Sequence, residues 1–239
     1  MRNYFKECAI LAIMPRPAQP LLSPTSIVDA ALAIIDAEGL EAFSLKRLAR
    51  DMNVQAPSLY YHFPDKASIL EAVARAIVLE TPRPRRRDPE RWIEYFVTQS
   101  LNFRRTILRH ANAAPVLLQF MPREVFGPVY EVGAAFLAEV GVPEHLQVLV
   151  LDGLDRFTLG AALTEAMKRP ASRREIFPHL DPAEDPSLTR AVEANRFEPE
   201  ELWAESIRTF LRGVADTRIA PVAPARDSAR PLTPSHLPS

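Results

Sequence analysis

Apolar residues recur every three to four positions along most of this chain, and no stretch alternates convincingly with a period of two. The pattern predicts helices throughout. In SIVDAALAIIDAEG, Ile27, Ala31, Ile34 and Ala37 share one face. Ser23 or Thr25 can cap its start, Pro24 suits a first turn, and Gly39 suits a left-handed stop. In SLKRLARDMN, Ser44 caps a second helix whose stripe is Leu45, Leu48, Ala49 and Met52, and Asn53 can end it in a left-handed conformation. Pro57 opens a third helix. Pro64 then breaks the chain, and Asp65 caps a fourth helix with Leu70, Val73, Ala74 and Ile77 on its apolar face.

The linker TPRPRRRDP follows. Beyond it the periodicity predicts helices near Glu90–Arg109, Pro115–Phe120, Arg123–Val140, Pro143–Lys168, Asp185–Asn195 and Glu198–Asp216. The polar, proline-broken Arg169–Pro186 stretch reads as a loop. No internal repeat is found. The expected fold is all-α, divided into a flexible extension (1–22), a small helical domain (23–80), a larger helical domain (88–216) and a proline-rich disordered tail (217–239).

Composition sharpens this picture in two places. Only 7 glycines stand against 23 prolines, which favours helices punctuated at their joints. One cysteine, Cys8, excludes an internal disulfide and a cysteine-rich zinc site and fits a reducing cytoplasm. The apolar run from Cys8 to Met14 is at the short limit of a signal peptide, lacks a small-x-small cleavage site and is too short to cross a bilayer. Translation could even start at Met14. A net charge of −1 names no partner.

On a helical wheel, Leu59 and Phe63 anchor the third helix to a core, with Ala56 and Tyr60 on the same side. Pro57, Ser58, Tyr61 and His62 point outward. Two short helices joined by a tight turn, the second presenting such a face, describe a helix-turn-helix, in which the second helix enters the major groove. Lys46, Arg47, Arg50 and Lys66 could then meet phosphates. Residues 23–80 nevertheless hold five Lys/Arg against eight Asp/Glu, so affinity must come from local placement and dimerisation. A plain helical bundle with a snorkelling aromatic pair fits the periodicity equally well.

The string S-L-K-R-L-A-x-x-M-N-V-x-x-P-S-L-Y-Y-H-F-x-D-K-x-x-I-L resembles the DNA-binding domain of the tetracycline-repressor (TetR) family of bacterial transcriptional regulators. The resemblance covers roughly Ser23 to Ile77 and decides between the two readings. It implies that Lys46 and the turn Gln55, Ala56, Pro57, Ser58 read bases, with Tyr61 and His62 beside them. Ser44, Tyr60 and Lys66 would grip phosphates, with Arg47 nearby. Alanine at 56, where the family's founding member carries a longer polar reader, implies a different operator and an apolar contact.

In the larger domain, the helix predicted over Pro143–Lys168 is apolar on nearly all sides and should be buried on more than one face. Gly153 and Gly160 lie seven apart, with Phe157 on the same stripe. Together with Phe210 on the last helix they suggest a close-packed two-fold dimer interface; intramolecular core packing is the alternative. DRFTLGAALTEA and WIEYFVTQSLNFRRTILRH resemble the corresponding helices of the tetracycline-repressor-like C-terminal class, which would place Gln99 and Phe103 in an inducer pocket. Phe120, Met121, Phe126, Tyr130 and Phe136 suggest a largely apolar lining. The two histidines that help bind magnesium–tetracycline in that class correspond here to Pro82 and Leu117, so that inducer is not expected.

No enzyme is expected. The five histidines form no HxxxH or HExxH, and there is no glycine-rich phosphate loop. Asp152, Asp155 and Arg156 read more simply as a local ion pair than as a catalytic acid pair. No metal or cofactor is implied. The expected protein is a cytoplasmic, homodimeric repressor of a palindromic double-stranded DNA operator, released by a small apolar effector, with no membrane partner. An activator is a variant of this reading. The alternative is a helical ligand-binding or enzymatic protein whose N-terminal domain is only a scaffold.

Overall fold

A computed structural model describes residues 22–120, 123–168, 177 and 179–217. The expected N-terminal extension, the tail, Met121 and most of the predicted 169–186 loop lie outside these residues. Ten α-helices and no strand are found among the described residues. They fall into two compact units: Met1–Ile77 with Asn112–Pro122, and Val78–Ala111 with Arg123–Ser239.

The first unit begins with α1 (Pro24–Glu38), capped by Ser23, which exchanges hydrogen bonds with Ser26. Ile27, Ala31 and Ile35 are completely buried along one face. Gly39 stops the helix at φ +87°, a conformation L side chains rarely adopt. One turn of 3₁₀ helix (Leu40–Ala42) leads to α2 (Leu45–Asp51), where the Ser44 hydroxyl accepts the Arg47 backbone N–H at 3.2 Å. Asn53, at φ +54°, turns the chain, and the Val54 N–H closes onto the Ala49 carbonyl.

The next helix, α3 (Ala56–Tyr60), is shorter than the sequence predicts. Its first turn has no side-chain cap, and Tyr61 and His62 form the turn that follows it. The N–H groups of His62 and Phe63 both close onto the Leu59 carbonyl. Leu59 is buried as expected. Phe63, expected to be a second anchor, is only half-buried, because the chain has already left the helical path. α4 (Lys66–Leu79) is started by Asp65, whose carboxylate accepts the Ser68 N–H at 2.8 Å. α6 (Ala114–Gln119), far along the chain, also belongs to this unit, and the Asn112 side-chain amide donates to the Asp36 carbonyl at 2.7 Å.

The second unit comprises α5 (Trp92–Arg109), α7 (Arg123–Glu139), α8 (Glu144–Lys168), α9 (Pro186–Ala194) and α10 (Pro199–Thr217). Its core is built on Trp92, Phe96, Phe136, Leu154, Trp203 and Ile207. Gly133 lets α7 approach α8, since a Cβ there would meet Leu151 at 2.8 Å.

An ion-pair network ties α5, α8 and α10 together. Arg104, only 3% exposed, pairs with Glu165 at 2.5 Å and with Glu200 at 3.1 Å, while Arg105 holds Glu200 at 2.5 Å. The Arg105 hydrogen bond keeps the Glu200 carboxyl below its ordinary pKa.

Candidate nucleic-acid interface and cavity

In the first unit, the α2–α3 turn and the α3 end gather the residues expected to face DNA. Leu59 is the buried anchor, and around it Lys46, Gln55, Pro57, Tyr60 and Tyr61 are exposed while Ala56, Ser58 and His62 are half-buried. Tyr61 is 87% exposed, with its ring edge-on to His62 at 5.2 Å between centroids. So large an aromatic surface in water, anchored through one leucine, fits a surface that meets a partner.

The cations around this surface are less free than the sequence suggested. Arg47 donates to both Glu38 oxygens, at 2.7 and 3.1 Å, and to Asp51 at 2.5 Å. Those hydrogen bonds hold the Glu38 and Asp51 carboxyls below their ordinary pKa and push the Arg47 guanidinium up. Arg50 also reaches Asp51, at 3.3 Å. Lys66 donates to the Phe43 carbonyl at 3.0 Å and lies over the Phe43 ring, bracing the start of α4 against the 3₁₀ turn. Ser44 is spent in part as the α2 cap.

The second unit contains a cavity of about 110 Å³ bounded by the last residues of α4, the segment after it, and α5, α7 and α8. Gln99, Phe103, Phe126 and Tyr130 line it; Phe120 and Leu117 belong to the first unit and do not. α6 follows α5 in sequence, which is why Phe120 looked like a wall residue. Phe126 lies edge-on to Phe103 at 5.8 Å and stacks with Tyr130 at 5.7 Å. The Tyr130 hydroxyl donates to the Asp155 carboxylate, and burial raises the Asp155 pKa. In the sequence Asp155 groups with Asp152 and Arg156. The structure separates them: Arg156 pairs with Asp152 at 2.5 Å on the exposed side of α8, and Asp155 faces the cavity. Its position on the apolar side of α8 was the available signal.

The expected interface residues divide similarly. A Cβ on Gly153 would meet the Phe210 ring at 2.9 Å, so this glycine permits close approach of α8 and α10 within one chain. Phe157 lies edge-on to Phe210 and remains 50% exposed, and nothing approaches Gly160. Val148, Leu149 and Met167 are also exposed, so α8, expected to be buried on several faces, leaves part of its apolar surface uncovered in the single chain.

Among the described residues no cluster of side chains suited to a metal ion occurs, and no helix is long and apolar enough to cross a membrane.

Comparison with known proteins agrees with this architecture. The profile of the bacterial regulatory proteins of the tetR family matches residues 27–73, and that of the tetracyclin repressor-like C-terminal domain matches residues 84–218. The class D tetracycline repressor protein of Escherichia coli is 27% identical over 205 residues, covering 80% of this chain and 88% of that protein. The HTH-type transcriptional repressor DrrR1 of Streptomyces coeruleorubidus is 26% identical, covering 76% of this chain and 68% of that protein. Among solved structures, ActR from Streptomyces coelicolor in complex with actinorhodin superposes with a TM-score of 0.69 at 24% identity, covering 82% of this chain and 98% of that one. The chain belongs to the tetR family, with a tetracycline-repressor-like C-terminal domain, and is a ligand-responsive DNA-binding transcriptional repressor rather than an enzyme.

Proposed function

We propose that a two-fold dimer of this chain reads a palindromic operator through the α2–α3 turn and the Tyr61–His62 turn, and releases it when a small, largely apolar molecule fills the cavity. The observation that carries this reading is the exposed Tyr61, edge-on to the half-buried His62, standing on the single buried Leu59. Lys46, Gln55, Ala56, Pro57 and Ser58 contact base edges beside it. Ser44, Tyr60 and Lys66 reach phosphates, Lys66 by leaving the Phe43 carbonyl. Arg47 acts chiefly by holding α2 to α1 through Glu38, steadied by its i,i+4 pair with Asp51 on α2 itself.

The two reading heads occupy successive major grooves about 34–36 Å apart. The exposed Phe157 and the open Gly160 on α8, next to Phe210 of α10, form the self-complementary surface of the dimer. A repressor of this kind works beside the chromosome, in the cytoplasm.

Gln99, Phe103, Phe126 and Tyr130 hold the effector. Phe120 is left out of this set because it lies in the first unit. Pro82 offers its carbonyl to Asn102 and Leu117 is fully buried, which supports an effector other than a magnesium chelate. α4 supplies the coupling: it carries core residues of the first unit through Ile77, and its last residues, Val78 and Leu79, line the cavity. By linkage, the effector weakens operator binding by the same factor that operator weakens effector binding.

The test is selection of genomic fragments by the purified protein, followed by gel shifts. Enrichment of an inverted repeat is expected. Binding with no sequence preference would refute the reading.

A further inference from the structure

We propose that the effector is a flat aromatic cation, its ring set among Phe103, Phe126 and Tyr130 and its protonated nitrogen against the Asp155 carboxylate. This rests on the reading of the cavity as the effector site and adds the chemical class of the molecule that fills it. Asp155 faces an otherwise mainly apolar and aromatic cavity, and its hydrogen-bond partner is the Tyr130 hydroxyl. No cation among the described residues pairs with it: Arg156, one residue on, is taken by Asp152 on the outer side of α8, and Arg104 by Glu165 and Glu200.

A carboxylate in such surroundings loses much of its hydration and regains little through one phenol. A bound ammonium or ring N–H restores what is missing. The faces of Phe103, Phe126 and Tyr130 are themselves favourable to a cation. A neutral ring satisfies the aromatic wall and leaves the carboxylate as it was. An anion is repelled by it. Arg83, also on the cavity lining, is exposed and can rest in solvent.

The experiment uses the full chain without DNA and three probes on one skeleton: 9-aminoacridine as the cation, acridine as the neutral ring and acridine-9-carboxylate as the anion. Binding is followed by fluorescence at neutral pH. The cation is expected to bind at least about tenfold more tightly than acridine, and the anion most weakly. Asp155→Asn, its fold verified by melting without probe, should bind acridine as before and lose the preference for the cation.

Equal affinity for the three probes, tighter binding of the anion, or an unchanged preference in Asp155→Asn would overturn the inference. The parent protein alone decides the first two outcomes, so the test survives a variant that fails to fold. Val129 of α7 also lines the cavity, and tryptophan there fills it; binding without charge preference that is lost in Val129→Trp removes the cation inference and leaves the effector site standing. If none of the probes binds, or if binding survives Val129→Trp, the effector-site reading fails with it.

Discussion

Replacing Glu165 by leucine removes the bidentate partner of Arg104 and leaves the guanidinium buried with Glu200 alone. Breaking one side of a buried ion pair costs about 3–5 kcal/mol. Two features lower that figure here. Glu200 still reaches Arg104 at 3.1 Å, and Glu165 is 21% exposed, so water can partly solvate the gap. An effect of about 2–3 kcal/mol follows, which for a chain of this size lowers Tm by about 4–12 °C. The double replacement Arg104→Met with Glu165→Leu removes both charges and keeps the volume. Glu200 is not orphaned by it, because Arg105 holds both of its oxygens, at 2.5 and 3.0 Å. The double variant should therefore lie within about 1 kcal/mol of the parent, and so be more stable than the single one. Urea unfolding at fixed protein concentration measures all three proteins. A double variant no more stable than Glu165→Leu would show that the network contributes more than its charges cost to bury.

Tyr61→Ala and His62→Ala should each weaken operator binding by about 1–3 kcal/mol per half-site while leaving Tm close to that of the parent; a silent pair of changes in gel shifts would remove these residues from the reading surface. Leu59→Ala should lose about 2–5 kcal/mol of stability, so DNA binding disappears together with the cooperative melt, and calorimetry distinguishes this from the Tyr61 case. Asp155 gives a pH dependence of unusual sign. Burial raises its folded-state pKa, helped by Asp152 and opposed by Tyr130, so its contribution favours the folded state at low pH and is lost as pH rises through that raised value. Without effector, Asp155→Asn should melt higher than the parent at neutral pH, with the gap closing as pH falls; a gap independent of pH would refute the assignment.

Much of the local structure could be read from residue spacing. Ser23, Gly39, Ser44, Asn53 and Asp65 punctuate the helices where capping chemistry places them. The reading face was harder to define, because a helical wheel assumes that the helix continues. It puts Tyr61 and His62 on a face of α3, whereas they stand in the turn beyond it. The partners of the charged residues are hidden in the sequence for a different reason. Glu38 lies nine positions before Arg47, and Phe43 far before Lys66, so no periodic pattern announces that these cations already have partners. Sequence order misled once more at Phe120, since α6 returns to the first unit after α5 has left it. Asp155 was visible as a polar residue on an apolar stripe, but only the cavity gives it a meaning.

The five-residue α3 has a consequence for how such proteins diversify. One side chain, Leu59, is buried within it, and the turn after it is closed by backbone groups that any residue but proline supplies. Changes at Gln55, Tyr60 or Tyr61 therefore meet little resistance from the core. The fold can stay constant while the surface that reads DNA varies, and a lineage can acquire a new operator in single steps without passing through an unfolded intermediate sequence.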